Sequence, residues 1–284
     1  MRRMPRLILL LAAVPLAWLS SCATAGKSGL VKLDAESTAH FDAGRYQEAV
    51  DVYREVRQDH PGDKAVAANY SKTLDRILGA GDAAMKKGDF ASAEKIYTIL
   101  QKAVPGDEPV IPPPSFTRAG LETRIRSARI SLAAGKADRC VRAGDFQKAV
   151  DGYRELLKAY PGEPAARSKV AGGLEAIREC GDAAMAKEYY SKAGMAYYPL
   201  WKSYPLFRKA GQKLSFNKES LDDHLAACRT ALTRQGLELY RKGDLKAAIS
   251  VWKSLLLFDP DNAQISKSIE SATAQLNRIQ SSDL

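Results

Sequence analysis

Few side chains in this sequence are grouped in a way that could do chemistry. His40, His60 and His224 are its only histidines and lie far apart. None stands in an HExxH pair, and no serine sits in a nucleophile elbow, so zinc hydrolysis and acyl transfer have no local motif. Gly79-Ala80-Gly81 with Ala84 imitates a dinucleotide fingerprint. That motif needs a preceding strand, and here helical periodicity runs straight through it. Charged residues are more orderly. Lys86 follows Asp82 by four residues, Arg142 follows Asp138 by four, and Arg178 precedes Asp182 by four. At that spacing each pair shares one face of a helix. Such a face either anchors a polar ligand or meets solvent. Tyr198 and Trp201 belong to an aromatic run over 189–204 and serve either a partner pocket or the core. No catalytic residue, metal-ligand set or cofactor motif emerges, and the expectation is a protein that is not an enzyme.

These charged and aromatic residues must be held by repeated helices, because the chain is internally duplicated. Residues 43–100 match 143–200 without a gap at 23 of 58 positions. A finer unit recurs around Gly44, Gly88, Gly144, Glu188 and Gly243. Nine residues after each stands Tyr53, Tyr97, Tyr153, Tyr197 or Trp252, and five after each stands an alanine. Seven before stand Ser37, Gly81, Ala137, Gly181 and Gly236, and seventeen after stand Pro61, Pro105, Pro161, Pro205 and Pro260. The small residues let two helix backbones approach, the aromatics fill the groove between them, and proline ends the second helix.

This pattern resembles the tetratricopeptide repeat. The resemblance implies an all-α superhelical solenoid of about five helix pairs across 30–284, duplicated as 43–134 and 143–234. It also implies protein partners held in a concave groove lined by each pair's first helix. The steps of 44, 56, 44 and 55 residues exceed the family's usual 34. Long first helices are therefore expected at about 64–87, 116–143, 165–187 and 217–242, with a capping helix over 262–280. No run alternates with period two, so no sheet is expected. The groove-facing candidates are Asp82, Lys86, Asp138, Arg142, Arg178 and Asp182. Cytosolic chaperone adaptors of the family carry Asn at the Asp position. Asp would repel a carboxylate, so the chain does not look like one of those.

The first 22 residues read as an address. Arg2, Arg3 and Arg6 precede the apolar run Leu7–Leu19, which is the pattern of a secretory signal and is too short to span a bilayer as a structural helix. Leu19-Ser20-Ser21-Cys22 resembles the bacterial lipobox. That implies removal of 1–21, acylation of Cys22 with palmitate-type chains, and a short linker over 22–29. Ala23, in place of the Asp that enteric bacteria use for inner-membrane retention, favours the periplasmic face of the outer membrane. Two or three acyl chains give stable anchoring where one does not. Loss of three arginines lowers the net charge from +10 to +7, with 40 basic residues against 33 acidic. That excess suits anionic lipid heads or acidic proteins and gives no reason to expect nucleic acid. The expected partners are the bilayer, through Cys22, and other envelope proteins. The alternative is a ligand- or peptide-binding accessory of an envelope transport system. Basic residues also cluster over 115–142 and again over 201–219. Cys140 and Cys180 sit at inward positions, either as small buried residues or as a disulfide.

Overall fold

The computed structural model describes residues 27–104 and 110–282. Among them are eleven α-helices and no strand. They are α1 (Lys27–Asp42), α2 (Tyr46–Asp59), α3 (Lys64–Lys86), α4 (Phe90–Ala103), α5 (Arg118–Ala143), α6 (Phe146–Ala159), α7 (Pro164–Ala186), α8 (Tyr190–Lys209), α9 (Lys218–Arg241), α10 (Leu245–Leu256) and α11 (Ala263–Ser282). The all-α class and the four long first helices agree with the repeat pattern, and α11 falls where the capping helix is expected. The signal segment, Cys22 and Pro105 lie outside the described residues. No described helix is long and apolar enough to cross a membrane.

The chain forms two compact units, one of residues 1–77 with 103–116 and one of 78–102 with 117–284. In the first, α1 packs on α2: the buried Ser37 hydroxyl donates to the Ala49 carbonyl at 3.0 Å, and Tyr53 donates to Asp34 at 2.9 Å. In the second, α5 packs on α6, α7 on α8, α9 on α10 and α10 on α11. Its core includes Tyr153, Val170, Leu174, Ile177, Leu225 and Phe258.

Each pair turns on one residue in the left-handed region. Gly44, Gly88, Gly144 and Gly243 have φ between 72° and 80°, where glycine carries no side-chain penalty. Glu188 adopts the same conformation at φ 59° without that freedom. Across each turn the aromatic of the second helix lies on the small residue of the first. A Cβ at Gly81 would stand 2.6 Å from Tyr97, one at Gly181 2.5 Å from Tyr197, and one at Gly236 2.2 Å from Trp252. A side chain added at these three glycines would meet the facing ring, which explains why small residues recur at this place.

One expectation fails. Pro205 does not end its helix, because α8 continues through both Pro199 and Pro205 to Lys209. The extension buries Phe207 in the core. The helix stops instead at Gly211, φ 77°, where the Gln212 amide donates back to the Phe207 carbonyl at 3.0 Å. Burial of a phenylalanine and a glycine stop thus outweigh the amide hydrogen bond that proline removes. Pro61, Pro161 and Pro260 follow helix ends as expected.

Candidate functional site

The repeat places three of the expected carboxylates identically. Tyr97 donates to Asp82 at 2.7 Å, Tyr153 to Asp138 at 2.5 Å and Tyr197 to Asp182 at 2.6 Å. Burial, and then the bond to aspartate, hold all three tyrosine hydroxyls well above their ordinary range, so they remain donors. These half-buried aspartates therefore position tyrosines as well as facing the groove. Sequence reasoning weighed a ligand role or a solvated pair and missed this third use. The recurring separation of fifteen residues between Asp and Tyr was the available signal.

The neighbouring cations differ from pair to pair. Arg124 reaches Asp82 at 3.3 Å. Arg178 bonds both Glu175 and Asp182 from its own helix, and the His224 ring lies tilted against that of Tyr197 with centroids 4.7 Å apart. Burial works to raise the Glu175 carboxyl, but the bonds from Arg178 and Ser215 outweigh it and hold it below its usual range. Lys86 makes no ion pair among the described residues. Among the described residues Asp138 accepts a side-chain hydrogen bond from Tyr153 and forms no ion pair with Arg142.

Between α5, α6 and α7 this leaves a cleft of about 380 Å³, lined by Asp138, Arg142, Tyr153, Lys169, Gly172 and Ala176 among others. Arg142 and Lys169 are exposed at its mouth, and a Cβ at Gly172 would meet nothing within 4 Å. The sequence reading found Asp138 and Arg142 but missed Lys169 and Gly172. An equivalent cleft of about 310 Å³ lies between α9, α10 and α11, lined by Leu237, Tyr240, Trp252, Lys267 and Ser271.

Tyr198 and Trp201 stack on each other at 6.1 Å. The Lys202 ammonium lies 5.8 Å from the Tyr198 ring, and the Lys218 ammonium 4.8 Å from that of Trp201. Tyr198 lines a different cleft of about 360 Å³ with Phe146, Met195, Pro199 and Leu257. Trp201 is not among its lining residues. The basic run over 115–142 is partly spent, since Arg126 pairs with Glu163 and Arg129 with Glu94. Cys140, Cys180 and Cys228 are free thiols, and burial pushes that of Cys228 up to about 11. Among the described residues no group of three or more His, Cys, Asp or Glu could hold a metal ion.

Fold and clefts together define a protein of packed helix pairs with grooves between consecutive first helices. The tetratricopeptide repeat model matches residues 37–63 and 128–162, which carry the first and third turns. Those two segments are similar to tetratricopeptide repeats, and such repeats suggest protein partners in general.

Proposed function

We propose that the protein is an envelope lipoprotein, tethered by acyl groups on Cys22, whose helix pairs hold a segment of another envelope protein near the membrane. The scaffold role is supported by the cleft between α5, α6 and α7, where Arg142 and Lys169 are exposed and, among the described residues, neither forms an ion pair. Cations left free at a concave mouth attract a partner of opposite sign. The tether is supported by the order of positive, apolar and Leu-Ser-Ser-Cys segments at the start of the chain. Four residues, Ala23 to Gly26, separate Cys22 from α1 and reach at most about 14 Å, which keeps the repeats close to the bilayer. Ala23, directly after Cys22, supports the periplasmic face of the outer membrane as the site of attachment.

Two measurements test this reading. A photo-crosslinking residue at Gly172 in whole cells is expected to capture one or a few envelope proteins, and the same residue at exposed Lys158 is not. Equal capture at both sites would overturn the scaffold role. Metabolic labelling with a palmitate analogue is expected to mark the wild-type chain and not Cys22→Ser. A label that survives the substitution would remove the tether.

A further inference from the structure

The five pairs give five versions of one place: the residue six before the turn, and the next helix that covers it. In the first version Arg76 donates to the Thr38 hydroxyl at 3.0 Å, lies 3.8 Å from Asp42 and covers the Phe41 ring at 4.4 Å. In the second, Arg124 bonds Asp82. In the fourth, Arg178 bonds Asp182. An arginine thus engages this place in three of the five. In the third version the residues one hundred positions after Asp42, Lys72, Thr73 and Arg76 are Arg142, Gly172, Gly173 and Ala176. The sealing arginine is gone, and a cation replaces its acidic partner. In the fifth version Leu237 stands where the middle three have aspartate, 39% exposed, beside Tyr240 and Trp252.

We infer that the third and fifth clefts are two ends of one site, which takes an extended peptide segment with a carboxylate at one end and an apolar side chain at the other. The inference rests on the scaffold reading above and specifies its partner. Charge complementarity sets the first end: Arg142 and Lys169 outnumber Asp138, one of whose oxygens already accepts from Tyr153. The second end has an apolar wall of Leu237, Tyr240 and Trp252 with one cation, Lys267. Between them the cation of the fourth place is already spent, because Arg178 is bonded to both Glu175 and Asp182. A bridging segment there meets more acid than base, so its middle residues are neutral or basic. The two clefts are separated by about two interhelix spacings, roughly 20 Å. About six residues of extended chain cover that distance.

The test uses the full acylated chain in detergent micelles and fluorescent nine-residue peptides in both chain directions. Each carries Asp at one end, Phe at the other and a Ser/Lys middle; one version replaces the Asp side chain with a free terminal carboxylate. Asp→Asn, Phe→Ser and a middle shortened by three residues are each expected to weaken binding at least tenfold. Gly172→Glu is expected to abolish the preference for Asp over Asn, and Leu237→Asp the preference for Phe over Ser. Circular dichroism confirms that both variants are folded. Binding that ignores one end, or that Leu237→Asp leaves unchanged, overturns the two-ended site and leaves the scaffold reading standing. If no peptide binds and crosslinking at Gly172 captures nothing, both fall.

Discussion

The first and third helix pairs descend from one duplicated segment, yet their grooves have opposite character. In the first, Arg76 joins Thr38, Asp42 and Phe41. In the third, Ala176 and Gly172 withdraw the side chains that would do this, and Arg142 replaces the acid. Both keep the tyrosine bonded to an aspartate, Tyr53 to Asp34 and Tyr153 to Asp138. The scaffold and the groove lining are therefore separable. Helix pairing depends on the small residue, the aromatic and the turn, and the groove is free to be filled or emptied.

The contrast can be broken most severely at Gly173. A Cβ there would stand 2.1 Å from the Tyr153 ring, although threonine occupies the matching place in the first pair. Gly173→Ala is expected to cost about 2–3 kcal/mol, seen as a lower urea midpoint. An unchanged midpoint would mean that the tyrosine is not locked. Transplanting the first pair's contact, Arg142→Asp with Ala176→Arg, is expected to close the cleft and cut peptide binding at least tenfold, about 1.4 kcal/mol. Stability should change by less than about 1 kcal/mol, because the new pair is exposed. Tyr153→Phe removes one hydrogen bond, and a loss of about 1 kcal/mol is expected in the same denaturation assay. Gly172→Ala should do the reverse of its neighbour and stabilise by about 0.5–1 kcal/mol, since helix propensity improves and nothing crowds the methyl. Glu188→Gly relieves the one turn held by a side-chain-bearing residue and is expected to raise the melting temperature by a degree or two.

Much of the fold could be read from the sequence because the repeat positions are physically exacting. A glycine that must lie against a ring, as Gly181 does against Tyr197, leaves a periodic trace. Pro205 misled because proline at that place normally stops a helix, and the burial of Phe207 that overrides it is a tertiary effect. The candidate site was half legible. Asp138 and Arg142 stood out as charges on one helical face, but Lys169, Gly172 and Ala176 lie on the next helix and matter through what they replace. Comparing 69, 72 and 76 with 169, 172 and 176 would have revealed them. Tyr198 and Trp201 were recognised as a cluster, but neither lines the charged cleft, and Tyr198 lines a different one.

The contact of ring against glycine has a thermodynamic corollary. Helices locked at van der Waals distance cannot slide past one another without expelling an aromatic side chain, so the receptor is preorganised. Nearly all the ordering entropy of association then falls on the incoming peptide. On the scaffold role proposed above, such a groove selects its partner by shape and charge, and a partner already held extended would bind more tightly than a disordered one.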